Sequence, residues 1–317
     1  MIPIGSTEFG AIASPAPSLQ RWDPHQRGNL CVFKLFYDFL DDSRLSIMGH
    51  DTNTRMTGTV TLTAETLYNT LSQGRVPCDK KHILVACFPK SGSTWFAEIF
   101  SQLPDFYRVH LVPTYGHREQ ELTFERLIIF HSLNYVAQHH CRYSFATEQY
   151  MRVFSIRPIV LVRNIFDCVV SLKEHIDSVK TLNDSEPSEF SLGRVEENYF
   201  SWTDEEKFDF IIDLCIPWYI NFYVCWLNCP YAEWMNYEEL RVSPFDVMKK
   251  FTKKFELKAD EPAIEAALTA ATAPGNRVRK NVGINGRGNA MLSEAQKDRV
   301  RRLTRYYPAR DFSRIGL

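Results

Sequence analysis

The chain has 317 residues, a formal net charge of −1 at pH 7 and an apolar fraction of 44%. That length suffices for one large hydrophobic core, and the apolar fraction is typical of a soluble globular protein. The near-zero net charge excludes the overall basic field with which DNA- and RNA-binding domains attract phosphates, so we expect no nucleic-acid partner.

Residues 1–30 contain several Pro, Ser and Gln residues and lack the basic and long apolar segments of a signal peptide. We therefore predict a flexible N-terminal segment over 1–30, followed by a single domain over 31–317 whose motif-bearing core is 81–317. Near the start of that domain, the pattern predicts an amphipathic helix from Cys31 to Leu40 and a short strand from Thr57 to Thr63.

The most informative stretch is 83–95, Ile-Leu-Val-Ala-Cys-Phe-Pro-Lys-Ser-Gly-Ser-Thr-Trp. An apolar, β-prone run ends at Pro89, and a helical pattern starts at Ser93 or Thr94. A strand, a tight turn and a helix start aim backbone N–H groups and the positive end of a helix dipole at one point, which is a typical phosphate site. Lys90 adds a positive charge, and Gly92 lets the backbone approach the ligand.

The turn resembles the 5′-phosphosulfate loop of the sulfotransferases that use 3′-phosphoadenosine 5′-phosphosulfate (PAPS), in the small-molecule type of the cytosol and of bacteria. Their common form is P-K-S/A-G-T-T-W, which differs here by one serine-for-threonine exchange. It is not the G-x-x-x-x-G-K-[ST] loop of nucleoside triphosphate enzymes. The resemblance implies that Trp95 stacks on the adenine, with an ordinary core tryptophan as the alternative. The residues that it assigns to the donor in this loop are Lys90, Ser91, Gly92, Ser93, Thr94 and Trp95.

The family deprotonates its acceptor with a histidine at a strand end, in the motif R-x-x-K-T-H. Arg126 and His131 match this motif, and residues 127–130 are then expected to form the strand. A histidine with a pKa near neutrality suits proton abstraction, so His131 is predicted to be the catalytic base. The alternative is a strand-end histidine without a catalytic role. Other candidates for the base are His139, His140 and His117.

A second β-branched run passes through a polar turn into a helix over 159–171, Ile-Val-Leu-Val-Arg-Asn-Ile-Phe-Asp-Cys-Val-Val-Ser. Arg163 lies at the strand end, and Ser171 follows about two helical turns later. A guanidinium fork suits a phosphate, and a hydroxyl adds one donor. The family has R-N-x-x-D-x-x-x-S here, which implies that Arg163 and Ser171 bind the donor's 3′-phosphate. The alternative is that Arg163 pairs with Asp167 and Ser171 faces water.

Residues 174–209 contain eleven acidic residues against three basic ones. In the family, the segment after the 3′-phosphate helix often helps to form the acceptor pocket. This suggests a small-molecule acceptor that is polar or cationic, such as an amine- or guanidine-bearing natural product. A solvated acidic loop is the alternative.

The strongest apolar stretch, 211–229, is interrupted by Asp213, Pro217 and Asn221, so we expect a buried helix and no membrane span. The family's Golgi members usually carry an N-terminal anchor, so we expect a cytoplasmic protein. The eight cysteines show no spacing typical of a zinc site, which predicts reduced, buried thiols and no metal.

Residues 231–240 resemble the family's late strand and its Y-E-D/E-L motif, whose tyrosine, here Tyr237, contacts the adenine. An amphipathic helix is expected after Pro244. Residues 277–288 resemble the family's glycine-containing C-terminal loop, although Val282 lies where a lysine is expected. A capping box at Ser293 predicts a final basic helix through Arg305. The resemblance implies that residues of this loop bind the 3′-phosphate: Arg279, Lys280, Asn281 and Gly283. It leaves open which cationic side chain contacts the phosphate.

Strands at 83–88, 127–130, 159–163 and 231–237 alternate with helices, which predicts one three-layer α/β domain with a central parallel sheet. Each motif lies at the carboxyl end of a strand, where ligands of such sheets bind. We predict a PAPS-dependent sulfotransferase that moves a sulfuryl group in line to an oxygen or nitrogen of a small molecule and releases 3′-phosphoadenosine 5′-phosphate (PAP). Lys90 would stabilise the leaving phosphate. A P-loop-type small-molecule kinase and a non-catalytic PAP- or PAPS-binding protein are the alternatives.

Overall fold

A five-stranded, fully parallel sheet lies at the centre of the computed structural model. The residues that the structure describes are 47–48, 59–60, 74–75, 78–112, 121–178, 195–273 and 285–317. A separate antiparallel pair precedes the sheet, formed by β1 (Ile47–Met48) and β2 (Thr59–Val60). The strands of the sheet are β3 (His82–Cys87), β4 (Phe106–Val109), β5 (Asn134–His139), β6 (Ile156–Val162) and β7 (Glu233–Asn236), in the spatial order β4-β5-β3-β6-β7.

Helices connect these strands and continue after the last one. The α-helices of the described residues are α1 (Ser93–Ser101), α2 (Phe124–Phe130), α3 (Phe145–Val153), α4 (Ile165–Ser178), α5 (Asp204–Phe210), α6 (Ile216–Trp226), α7 (Tyr237–Val242), α8 (Pro244–Lys254), α9 (Glu261–Thr272), α10 (Arg287–Met291) and α11 (Glu294–Leu303). The predicted α/β domain with a central parallel sheet is therefore confirmed.

The direction of the central strand β3 identifies the amino edge of the sheet, where the parallel strands begin, and the carboxyl edge, where they end. At its first residue, His82 is in register with Tyr135 of β5 and Ile156 of β6, and near its end Cys87 is in register with Leu161. Every residue of β3 is buried, as expected for a continuous apolar strand that is covered on both faces. Because all five strands run in the same direction, the segments that follow them meet at the carboxyl edge, and the segments that precede them meet at the amino edge.

Helices cover both faces of the sheet. On one face, Phe96 and Phe100 of α1 pack in a cluster with Phe251 of α8 and Ala267 of α9. Elsewhere, the ring of Phe88 contacts Tyr219 and Phe222 of α6. Each fully buried aromatic ring of this kind contributes about 1.5–3 kcal/mol to the free energy of unfolding, relative to an exposed ring. The helices that flank the phosphate loop are thus held by the core itself.

One long helical stretch, Asp204–Trp226, consists of α5, a π-helical turn over Ile211–Cys215 and α6. Pro217 has no N–H to donate to the preceding turn, which accounts for the irregularity there. By length and composition alone, this helix could also cross a membrane. In the structure, the Tyr219 hydroxyl donates to Pro89 O at 3.1 Å and the Trp226 indole donates to Cys141 O at 2.9 Å. These contacts agree with the predicted buried helix.

Most predicted elements lie where the sequence places them, and one does not. The strands expected at 83–88, 159–163 and 231–237 correspond to β3, β6 and β7, and the capping box at Ser293 is present. The strand expected at 127–130 is wrong, because these residues form the end of helix α2 and the strand is β5. A run of four apolar residues fits a buried helical face as well as a strand, so its type is ambiguous. Strand β4 has no counterpart among the predictions.

Two early predictions concern segments that the structure describes in part or not at all. The expected strand from Thr57 to Thr63 corresponds to Thr59–Val60, which pairs with Ile47–Met48. The expected helix from Cys31 to Leu40 and the N-terminal segment over 1–30 lie outside the described residues.

The described cysteines are free thiols, and most of them are buried. Burial raises the pKa of Cys168 and of Cys215 to about 12, because a thiolate would lose its water there. These two thiols therefore stay protonated at neutral pH and act as small apolar side chains.

Candidate active site

The loop between β3 and α1 has the geometry of an anion site. Gly92 precedes α1 with φ +79°, and no side chain caps the first N–H groups of the helix. The Ser91 hydroxyl donates to Phe88 O at 2.8 Å, which closes the turn. Lys90 also has a positive φ of 66° and is half-buried. The N-terminal N–H groups of α1 are therefore open to an anionic ligand.

Tyr237 and Arg163 lie directly against this loop. A Cβ atom at position 92 would come within 2.4 Å of the Tyr237 ring, so the loop and the ring fit only because residue 92 is glycine. The Arg163 guanidinium lies over the same ring, 4.5 Å from its centroid, and Arg163 Nη1 donates to Lys90 O at 3.2 Å. Three motifs that are up to about 150 positions apart in the sequence thus form one cluster at the carboxyl edge.

Arg163 is only 6% exposed and lies 3.6 Å from the carboxylate of Asp167. The stronger contacts of Asp167 are to the C-terminal segment, because its two oxygens accept from Gly286 N at 2.9 Å and Gly288 N at 2.8 Å. Residue 288 fits there only as glycine, since a Cβ atom would come within 2.2 Å of the backbone of Phe166. Asp167 therefore anchors the C-terminal segment next to Arg163, a role that the sequence analysis did not foresee.

Of the other residues assigned to the 3′-phosphate, the structure describes Ser171. Ser171 is buried on helix α4, which begins directly after Arg163 and Asn164. Arg287 forms two hydrogen bonds with the Glu174 carboxylate. The residues of the C-terminal loop that were predicted to contact the phosphate lie outside the described part of the chain: Arg279, Lys280, Asn281 and Gly283.

A polar network fixes the first hydroxyl of helix α1. Gln138 donates to Ser93 Oγ at 2.7 Å, and its own carbonyl oxygen accepts from Arg108 at 2.8 Å. Arg108 in turn forms a 2.9 Å ion pair with Glu98, in which both side chains are mostly buried. Since Ser93 Oγ accepts from Gln138, the Ser93 hydroxyl can still donate its hydrogen to another group. Thr94 is the second residue of the same helix.

Trp95 lies at the side of the loop and packs against the apolar cluster beneath α1. The Arg241 guanidinium lies 5.9 Å from its ring centroid. Trp95 Nε1 is buried without a hydrogen-bond partner among the described residues. Trp95 is therefore packed partly against the core, and its stacking on an adenine stays a prediction.

The structure does not bring His131, the predicted catalytic base, to the phosphate loop. His131 follows helix α2 and precedes β5, and its ring lies 5.1 Å from that of His82, the first residue of β3. His131 is therefore at the amino edge of the sheet. A six-residue strand rises about 20 Å, so the length of β3 separates His131 from the phosphate loop. The prediction followed directly from taking 127–130 as the strand.

Two other candidate histidines lie at the carboxyl edge, at the end of β5. His140 Nδ1 is 2.9 Å from Cys87 O, at the last residue of β3 before the phosphate loop. A carbonyl oxygen can only accept, so this contact places the proton on Nδ1 and leaves Nε2 as the basic nitrogen. His139 is fully buried, and its Nε2 accepts from Leu111 N at 3.0 Å, which occupies its basic nitrogen. His117 lies outside the described residues.

Several acidic residues of the segment after α4 are paired with cations of the chain. Asp177 contacts Lys173 and Lys207 at 3.1 and 3.0 Å, and Asp209 contacts Arg299 at 2.6 Å. These carboxylates therefore stabilise the fold. Residues 179–194, which contain other acidic residues of the segment, lie outside the description.

Comparison with known proteins places this arrangement in a family. A family model described as the sulfotransferase domain matches residues 80–274, more than half of the chain. Mouse sulfotransferase SULT7A1, in a crystal structure with PAP, is similar over 86% of this chain and 96% of its own, at 16% identity and a TM-score of 0.53, which supports the fold. Retinol dehydratase in complex with androsterone and PAP covers 80% of this chain and 87% of its own, at 12% identity and a TM-score of 0.45. No curated protein matches the sequence. On the family match, the chain belongs to the sulfotransferase family.

Proposed function

We propose that this sulfotransferase takes the sulfuryl group from PAPS and transfers it to a hydroxyl oxygen, or to an amine or guanidine nitrogen, of a small molecule. The observation that supports this most is the contact of Arg163 with both the Lys90 carbonyl and the Tyr237 ring. It brings an uncapped helix start and a buried guanidinium together at one edge of the sheet. Two anion sites that are this close suit a nucleotide with a phosphate at each end.

The chain's own groups supply the two phosphate sites. The start of α1, with the Ser93 hydroxyl and Lys90, would hold the 5′-phosphate and stabilise the charge that develops on the leaving oxygen. Arg163 would hold the 3′-phosphate, because its guanidinium is kept beside the loop by the Tyr237 ring and by its hydrogen bond to Lys90 O. The ring of Trp95 borders the same site and would contact the adenine.

His140 is the proposed base. In the family motif R-x-x-K-T-H, the strand-end positions correspond to Gln138, His139 and His140 once β5 is recognised as the strand. The contact of Nδ1 with Cys87 O fixes the tautomer in which Nε2 accepts a proton from the acceptor. Gln138 replaces the family's lysine, so the positive charge of that position is absent and a hydrogen bond to Ser93 takes its place.

The acceptor remains a broad class in this proposal. Because Glu174, Asp177 and Asp209 are paired with Arg or Lys side chains of the protein, a cationic acceptor would be attracted by other acidic residues of 174–209. A cytoplasmic location is likewise proposed only from the sequence resemblance.

A transfer assay tests the proposal. Labelled sulfate in PAPS is supplied with a panel of phenols, alcohols, amines and guanidines, and we expect a labelled product from at least one class. Turnover of ATP with Mg²⁺ and none of PAPS would instead support a kinase. Tight PAP binding in calorimetry without transfer to any member of the panel would support a non-catalytic nucleotide-binding protein.

The base is tested by His140→Asn, which keeps a hydrogen-bond donor near Cys87 O but removes Nε2. We expect kcat to fall by about 10²- to 10⁴-fold with unchanged PAP affinity. His131→Gln is the matched control at the opposite edge of the sheet, and its folded protein should retain full activity. Equal loss of kcat in both variants would refute the assignment.

A further inference from the structure

Three metal-ligating side chains meet at the amino edge of the sheet, the edge opposite to the phosphate loop. Cys78 precedes β3, His82 is its first residue, and His131 follows α2. Their sulfur and ring nitrogen atoms lie within 4.8 Å of one another. The proposed transfer chemistry uses none of them, since the structure places His131 away from the phosphate loop.

The spacing of two of these ligand atoms is that of a tetrahedral zinc site. Cys78 Sγ lies 3.6 Å from His82 Nε2. Bonds of 2.3 Å to sulfur and about 2.05 Å to nitrogen, at a tetrahedral angle, place the two ligand atoms about 3.6 Å apart. The ligand atom of the His131 ring lies within 4.8 Å of the other two, at most about 1 Å farther from them than this geometry requires.

The hydrogen bonds of His82 orient its Nε2 as a ligand. His82 Nδ1 lies 2.7 Å from Phe154 O, a short contact that favours the tautomer in which Nδ1 donates and Nε2 holds the lone pair. A histidine ligand typically donates its second nitrogen to a backbone carbonyl in this way. In that tautomer Nε2 and His131 O are both acceptors, 3.0 Å apart, and a cation bound to Nε2 would relieve their repulsion.

The backbone around Cys78 offers hydrogen-bond partners to both forms of its sulfur. Lys80 N–H donates to Cys78 Sγ at 3.3 Å, and a hydrogen bond to the charged form stabilises that form. The sulfur also lies 3.6 Å from His131 O and 3.7 Å from Lys80 O, which can accept from the neutral thiol. The neutral hydrogen-bonded cluster is therefore the competing state that a metal must displace.

We propose that Cys78, His82 and His131 bind one divalent metal ion of the zinc class. One sulfur and two imidazole nitrogens are the donor set that suits zinc, and water would complete the tetrahedron. The Cys78 thiol releases its proton to solvent when the ion binds. The length of β3 separates the site from the phosphate loop by about 20 Å, so its role is structural: it ties the chain that enters β3 to the turn between α2 and β5. The proposed metal site matches no short sequence motif, because Cys78 and His131 are 53 positions apart.

The test uses the full chain after removal of metals with a chelator. Titration with Zn²⁺ should show one equivalent bound in calorimetry and a thermal midpoint that rises by roughly 5–10 °C at a concentration about 100-fold above Kd. Co²⁺ in place of Zn²⁺ should give a thiolate-to-metal charge-transfer band. Cys78→Ser should remove that band and the midpoint shift, and His131→Gln should weaken both.

Cys225→Ser is the matched control, because Cys225 is also a partly buried free thiol but belongs to no cluster of metal-ligating residues among those described. It should retain the full response. Absence of tight binding to the unmutated chain, or equal binding by Cys78→Ser and the unmutated chain, would overturn the proposal. Circular dichroism of each metal-free variant verifies folding, and neither readout depends on sulfuryl transfer.

Discussion

Replacing Gly92 with alanine tests how far the phosphate loop, Tyr237 and Arg163 depend on one another. Alanine at φ +79° costs about 1–2 kcal/mol in backbone strain. The new methyl group would also lie 2.4 Å from the Tyr237 ring, and such overpacking adds about 1–3 kcal/mol. We expect a total loss of about 2–5 kcal/mol in the free energy of unfolding. Displacement of Tyr237 also removes the ring beneath Arg163, which should weaken PAP binding by about two- to thirtyfold.

Gly286→Ala provides the matched control. Gly286 has a φ of +83°, but a Cβ atom there meets nothing within 4 Å. The Gly286→Ala variant should therefore lose only the free energy of unfolding that backbone strain costs, about 1–2 kcal/mol. Urea unfolding gives the stability of both variants, and calorimetry gives their affinity for PAP. If both variants lose the same stability and the same affinity, the contact between residue 92 and Tyr237 is irrelevant and the reasoning fails.

Three further substitutions test other parts of the site. Asp167→Asn replaces one acceptor oxygen by an amide donor that faces the N–H of Gly286. It should lower the free energy of unfolding, measured with urea, by about 1–3 kcal/mol. Arg163→Lys removes the planar fork and should weaken PAP binding about tenfold in calorimetry, with little change in stability. Gln138→Leu removes the donor to Ser93 and should lower kcat in the transfer assay more than it lowers PAP affinity.

Each of these has a result that would contradict it. An Asp167→Asn variant as stable as the unmutated protein would mean that the C-terminal segment is held by other contacts. Unchanged PAP affinity in Arg163→Lys would place the 3′-phosphate elsewhere. For Gln138→Leu, a loss confined to PAP affinity would mean that Ser93 positions the donor equally in the ground state and the transition state.

The sequence predicted the phosphate loop because its information is local. A β-prone run, a turn with glycine and a helix start at Ser93 occur within about a dozen consecutive positions, and the structure places each where it was expected. The same holds for the strand that ends before Arg163. Such local patterns identify the elements, and the rule for parallel sheets then places their ends at a common edge.

The errors came from choices that only tertiary contacts decide. The apolar run 127–130 fits a buried helix as well as a strand, and taking it as the strand led to the prediction of His131 as the strand-end base. The role of Asp167 and the link from Gln138 to Ser93 join positions that are 45 or more residues apart. No periodicity or motif in one sequence reports such pairs, although the polar Gln138 and His139 inside an apolar strand were a signal of special contacts.

The attachment of Gly286 and Gly288 to Asp167 has a consequence for the order in which the protein matures. During synthesis, Arg163 and the loop at Lys90 leave the ribosome more than a hundred residues before the segment that completes their surroundings. A nascent chain can thus assemble its sheet early, yet its nucleotide pocket stays unfinished until translation is almost over. Ligand-assisted folding would then begin only at that late moment.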